Sequence, residues 1–136
     1  MSAVNHRNPK VVFYCDDDED DLLMFRDSIK EIDQSIQCIT SSRSEQAIEN
    51  LSKGIIRPDI IFLDINMPKI NGIEMLARLK KLGSLEDVPI VMYTTSTYRH
   101  ELDQCFKLGA DLILTKPFNP SDAVLQLRET IGTYFG

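Results

Sequence analysis

Five short β-prone apolar runs alternate with five helix-patterned segments along this chain, and no other feature restricts its fold as strongly. Val11-Val12-Phe13-Tyr14-Cys15 is a continuous apolar run. Such runs suit strands buried on both faces of a parallel sheet. Leu22, Phe25, Ile29 and Ile32 then recur at helical spacing. Ile36 to Thr40 reads as a weaker strand. Ala47, Ile48, Leu51 and Ile55 mark a second helix ending near Gly54. Asp59-Ile60-Ile61-Phe62-Leu63 is the clearest strand, and the loop Asp64 to Asn71 leads to a helix opened by Gly72. That helix carries Ile73, Leu76 and Leu79, with Met75 and Leu82 broadening the stripe. A strand over Ile90 to Tyr93 and a helix through Tyr98, Leu102 and Cys105, stopped by Gly109, come next. The short strand Leu112-Ile113-Leu114 precedes a last helix through Val124, Leu127, Ile131 and Phe135.

This repeated order predicts an α/β fold: a doubly wound parallel sheet with helices on both faces and right-handed crossovers. The chain has 136 residues, enough for one domain. Residues 10-136 are assigned to it and 1-9 to an N-terminal tail. Ligands in such folds lie at the carboxyl ends of the strands, which is where the chemistry is sought.

Asp16 and Asp17 follow the first strand and Asp64 the third. Thr94, Thr95 and Ser96 follow the fourth, and Lys116-Pro117 follows the fifth. Three carboxylates in one crevice repel each other and are costly to desolvate. A hard divalent cation removes the conflict, and a few carboxylates completed by water favour Mg²⁺ over Ca²⁺, with Mn²⁺ the alternative. One carboxylate then remains as a nucleophile toward a phosphoryl group. Lys116 and Thr94 supply the charge and the hydroxyl that phosphoryl oxygens need.

Charge supports the same reading. Fifteen bases against 21 acids give −6, and six acids form the single run Asp16 to Asp21. The other 15 acids balance the 15 bases, so the chain lacks the basic excess of a nucleic-acid binder. No apolar run approaches the ~18 residues of a membrane span. Met1 to Lys10 lacks a signal peptide's apolar segment. Cys15, Cys38 and Cys105 fit no zinc or redox spacing and read as small hydrophobes in a reducing cytoplasm. Asp18 to Asp21 are expected mostly to start the first helix, with Asp18 near metal-bound water. His6 and His100 read as surface residues. Ser96 or Thr97 is expected to cap the fourth helix.

The ordered motifs resemble the receiver domain of two-component response regulators, of the stand-alone chemotaxis-regulator type. They are Asp16-Asp17, Leu63-Asp64-Ile65-Asn66-Met67-Pro68 with Gly72, Thr94, and Lys116-Pro117-Phe118. Arg57-Pro58-Asp59 and Gly109-Ala110 also match, and the likeness spans roughly Lys10 to Phe135. The resemblance implies a flavodoxin-like (βα)5 fold with strand order 2-1-3-4-5. It implies Asp64 as phosphoacceptor and Mg²⁺ held by Asp17, Asp64, the Asn66 carbonyl and Asp16, the last close by or through water. Thr94 and Lys116 would bind the phosphoryl group, and the Lys116-Pro117 bond would be cis. A histidine kinase or histidine phosphotransfer protein would be the donor. With no output domain expected after Phe135, the signal would leave by protein contacts on helix 4, strand 5 and helix 5. The domain would act as a phosphoacceptor with self-catalysed phosphorylation and hydrolysis rather than as a conventional enzyme.

Two departures bear on the mechanism. Ile113 stands where the family has a switch aromatic, leaving Tyr93 and Tyr98 as aromatic candidates near the strand 4 loop. Thr95 replaces the common alanine. Asn66, Thr95 and Ser96 are candidates for tuning phosphate lifetime. The alternative is a haloacid-dehalogenase-type phosphatase with Asp16 as nucleophile and Asp18 as acid/base. It leaves Asp64 without a role, and only Asp122 and Glu129 follow Lys116 as metal carboxylates. A calcium loop over Asp16, Asp18, Asp20 and Asp27 lacks its glycine, because Asp21 stands there. A flavin-phosphate site would be repelled by the acidic run.

Overall fold

The computed structural model describes residues 10–135. The assigned tail, residues 1-9 with His6, lies outside the described residues. Five strands are β1 (Val11–Cys15), β2 (Gln37–Ser41), β3 (Ile60–Leu63), β4 (Ile90–Thr94) and β5 (Leu112–Thr115). Five helices follow them in turn: α1 (Glu19–Ile32), α2 (Ser44–Ser52), α3 (Gly72–Leu79), α4 (Arg99–Lys107) and α5 (Pro120–Phe135). All pairings are parallel and the order is β2-β1-β3-β4-β5, as expected.

The apolar runs are continuous because both sheet faces are covered. Alternate side chains on a strand point to opposite faces. Phe13, Cys15, Ile61, Leu63 and Met92 pack under α2, α3 and α4 with Leu51, Met75, Leu76, Leu79 and Cys105. Val12, Tyr14, Ile60, Phe62, Val91 and Tyr93 face α1 and α5, meeting Leu22, Phe25, Ile29, Leu127 and Ile131. Tyr14, Phe25, Phe62 and Tyr93 form an edge-and-tilt aromatic group on that second face.

Helix starts follow their caps. Asp18 Oδ1 accepts the Asp20 and Asp21 N–H groups at 2.9 and 3.2 Å. Asn71 Oδ1 accepts Glu74 N–H, and Asn119 Oδ1 accepts Asp122 N–H, both at 2.9 Å. Each satisfies an otherwise orphaned amide.

Several boundaries differ from the sequence reading. Ile55 is 69% exposed and lies beyond α2, which ends at Ser52. Leu82 lies outside α3, before a 3-10 turn over Gly83–Leu85 that the periodicity did not reveal. Tyr98 precedes α4 and is exposed, so Cys105 is that helix's buried residue. Asp59 falls just before β3, where its carboxylate accepts Val11 N–H at 2.7 Å. Asp111 does the same for Ile90 N–H at 2.8 Å. Both satisfy strand amides at the end of the sheet away from the acidic crevice.

Candidate functional site

The carboxyl ends of β1, β3, β4 and β5 meet in one crevice because backbone bonds tie their exits together. Asp16 N–H donates to Ser41 O and Asp64 N–H to Cys15 O, both at 3.1 Å. Lys116 N–H donates to Thr94 O at 2.9 Å. The strand register therefore carries the site residues into place.

Asp16 is fully buried. Its Oδ2 accepts the Tyr14 hydroxyl and the Lys116 ammonium, the latter at 2.6 Å. Its Oδ1 accepts Asp18 N–H at 3.0 Å. Asp64 is buried, and Asp17 is exposed at the rim. One carboxylate oxygen from each of Asp16, Asp17 and Asp64 lies within 4.8 Å of the others. An all-oxygen set of this kind suits a hard cation such as Mg²⁺ or Mn²⁺.

Lys116 is the fixed positive charge of the crevice. Its side chain is 9% exposed, and Nζ lies 2.6 Å from Asp16, 2.7 Å from Asp21 and 3.4 Å from Asp64. Burial would lower its pKa, but the hydrogen bonds to Asp16 and Asp21 and the nearby charges outweigh burial and raise it. For Asp64 a rise in pKa disfavours the charged form instead. Burial and the Asp16 charge push its carboxyl up to about 6, against the lowering influence of Lys116. Burial and the neighbouring Asp16 also raise the Tyr14 hydroxyl.

The sign of the Asp64 shift gives a stability test without added metal. Its folded pKa is above the ordinary 3.8, so the folded state binds the proton more tightly and loses stability as pH rises from about 4 to about 6. Asp64→Asn is therefore expected to stabilise the cation-free protein by about 1–3 kcal/mol above pH 6. The gain should vanish near pH 4. Urea unfolding of both proteins in chelator at the two pH values checks this.

The remaining predicted residues lie as follows. Thr94 is buried at the end of β4, and its Oγ1 accepts Ser96 N–H at 3.1 Å. The Asn66 and Thr95 side chains are exposed. Ser96 Oγ donates to Glu101 Oε1 at 2.7 Å and accepts Tyr98 N–H at 3.3 Å, while the N-cap of α4 is Tyr98 rather than Ser96 or Thr97. Ser96 thus ties the loop to the helix's first turn from one step further out. The Lys116-Pro117 bond is trans, contrary to the expectation, as no peptide among the described residues is cis. Trans is the lower-energy isomer unless context imposes the other. Here three carboxylates already aim the lysine.

Two site residues were missed from sequence. Asp21, one of the first-turn acids expected to start α1, also reaches Lys116. Asp21, Phe25, Ser28 and Ile32 follow +4, +3, +4 spacing, so the inward stripe of α1 contained the signal. Tyr14 belongs to the apolar run of the first strand, and its hydroxyl donates to Asp16. Its position two residues before Asp16 puts both on the same side of the sheet.

Comparison with known proteins matches residues 12–128 to the family model described as response regulator receiver domain. The response regulator SaeR of Staphylococcus aureus is 31% identical over 115 residues, covering 85% of this chain. The chain spans about half, 48%, of that relative's length. Among solved structures, the phosphorylated cyanobacterial phytochrome response regulator RcpA superposes with TM-score 0.87 at 23% identity, covering 94% of this chain and 95% of that one. The Mn²⁺-bound form of response regulator Rcp1 gives TM-score 0.78 at 28% identity, covering 93% and 94%.

Proposed function

Because the chain belongs to the response regulator receiver domain family, we propose that Asp64 accepts a phosphoryl group in a divalent-cation-dependent reaction. The donor is a phosphohistidine on a histidine kinase or histidine phosphotransfer protein. The observation that carries this reading is the convergence of Asp16, Asp17 and Asp64 around the buried Lys116 ammonium.

The chemistry follows from the side chains. Asp64, ionised, attacks phosphorus through one carboxylate oxygen, and the P–N bond to the donor imidazole breaks as the new P–O bond forms. The imidazole leaves with the electron pair and takes up a proton. Asp16, Asp17, Asp64 and the Asn66 backbone carbonyl would hold Mg²⁺ or Mn²⁺. When bound, that ion neutralises the developing charge on phosphoryl oxygens and screens the carboxylates from one another. Lys116 pairs with a phosphoryl oxygen, and the Thr94 hydroxyl turns from Ser96 N–H to donate to another. Hydrolysis of the acyl phosphate returns the domain to its starting state, and Asn66, Thr95 and Ser96 are the candidates for tuning the attack of water.

Phosphorylation is read by protein contact at α4, β5 and α5; Phe106 on α4, Leu125 on α5 and Tyr98 just before α4 are exposed. No helix of the described residues is long and apolar enough to cross a membrane, and a cytoplasmic setting with its kinases suits the reading. The phosphatase alternative is disfavoured by Asp16 itself. Its carboxylate is fully buried, and its charge is already engaged by the Lys116 ammonium, the Tyr14 hydroxyl and Asp18 N–H, which makes it a weaker nucleophile than Asp64.

The test is a transfer assay from a histidine-phosphorylated donor. The intact mass should rise by one phosphoryl group when Mg²⁺ is present and stay unchanged in chelator. Mass gain that ignores Mg²⁺, or turnover of generic phosphate esters, would oppose the proposal.

A further inference from the structure

Asp21 makes one of the two shortest contacts to Lys116, yet the phosphoacceptor chemistry does not use it. The Nζ to Asp21 distance of 2.7 Å nearly equals the 2.6 Å to Asp16 and is well inside the 3.4 Å to Asp64. An ammonium has three protons to donate and accepts none. It can serve three carboxylates, and here it does. Two of them, Asp16 and Asp64, also belong to the set whose oxygens converge on a cation position. Lysine and cation therefore draw on the same two carboxylates.

Lys116 has little water to fall back on, being 9% exposed. An unpaired buried ammonium is costly, so giving up Asp16 requires another anion within reach. Asp21 is that anion. It lies outside the convergent set and is 35% exposed. The Asp18 cap fixes the first turn of α1, because Asp18 Oδ1 accepts Asp21 N–H.

Resting on the phosphoacceptor reading, we propose that Asp21 is a positioning residue for Lys116, anchoring the ammonium so that Asp16 and Asp64 can pass to a divalent cation and an arriving phosphoryl group. Without the Asp21 charge, the lysine is satisfied only by carboxylates the cation needs, and it holds them harder. The residue acts on the cation through the lysine.

Mn²⁺ affinity, read from the paramagnetic resonance of the free ion with no phosphodonor present, tests this. Asp21→Asn should weaken Mn²⁺ binding about tenfold, and Asp21→Glu should restore most of it. Lys116→Gln, which keeps N–H donors toward Asp16, should bind Mn²⁺ more tightly than the wild type. In that background Asp21→Asn should change affinity by less than about twofold. A second reading is independent of that background. With Mg²⁺ bound, the Lys116 ammonium resonance should stay protected from water exchange in the wild type and be lost in Asp21→Asn. An equal loss of affinity in both backgrounds would mean that Asp21 acts only as a nearby charge, and would overturn the proposal. Unchanged affinity in Asp21→Asn would do so too. A wild-type chain that binds no Mn²⁺ would instead remove the phosphoacceptor reading, and this inference with it.

Discussion

Gly72→Ala should cost about 3 kcal/mol or more of stability and abolish phosphoryl uptake by a correctly placed Asp64. A Cβ at Gly72 would lie 1.9 Å from the Asp64 carbonyl oxygen and 2.8 Å from both Asp64 C and Ile65 Cα. These are backbone atoms, so no side-chain rotation relieves the clash. Either the start of α3 or the exit of β3 must move. Gly72 N–H donates to Ile65 O at 2.8 Å, and that bond would be lost with the movement. Ordinary overpacking costs about 1–3 kcal/mol, and a backbone–backbone clash belongs at or above that range. Gly83→Ala is the matched control, since a Cβ there meets nothing within 4 Å. Urea unfolding of the two variants should separate them clearly. A Gly72→Ala cost below about 1 kcal/mol would mean that the helix does not press on the phosphoacceptor loop.

Lys116→Met should destabilise the protein by about 3 kcal/mol in chelator and recover most of that loss in saturating Mg²⁺. Removing one member of a buried ion pair typically costs about 3–5 kcal/mol, because the other charge is left uncompensated. Asp16 is fully buried and would keep only the Tyr14 hydroxyl and Asp18 N–H as donors. Those two donors place the estimate at the lower end of the range. Added cation then supplies the missing charge, and a ligand at 100 times its dissociation constant contributes about 2.7 kcal/mol. The variant should therefore gain more from Mg²⁺ than the wild type, whose lysine must first be displaced. Thermal melts of both proteins in chelator and in Mg²⁺ check the difference. The sign is opposite to Asp64→Asn, which removes a carboxylate and should stabilise the cation-free protein. A Lys116→Met protein as stable as wild type in chelator would show that the lysine is not compensating the crevice acids.

The sheet was legible because its two buried faces write continuous apolar runs into the sequence, and strands this short leave few alternatives. The same continuity hid which residue faces which layer. Tyr14 therefore looked like core, although its hydroxyl donates to Asp16. Asp16, Asp17, Asp64, Thr94 and Lys116 could be gathered from sequence because strand ends in a parallel sheet share one edge. Asp21 could not be separated from its acidic neighbours by charge alone. Acids in the first turn of a helix already have an electrostatic explanation, and only the inward stripe through Phe25 and Ser28 distinguishes it. Ile55 and Tyr98 misled because an apolar residue at helical spacing can lie just past a helix end, where nothing covers it. The isomer of the Lys116-Pro117 bond had no local sequence signal in this chain.

The position of the phosphoryl label tests the central claim most directly. The protein is incubated with Mg²⁺ and a small phosphoramidate donor, the acyl phosphate is trapped by borohydride reduction, and peptides are mapped by mass. A single modified residue, Asp64, absent from Asp64→Asn, is the predicted result. Modification at Asp16 or another aspartate instead, or no modification from the small donor and a histidine-phosphorylated protein alike, would contradict it.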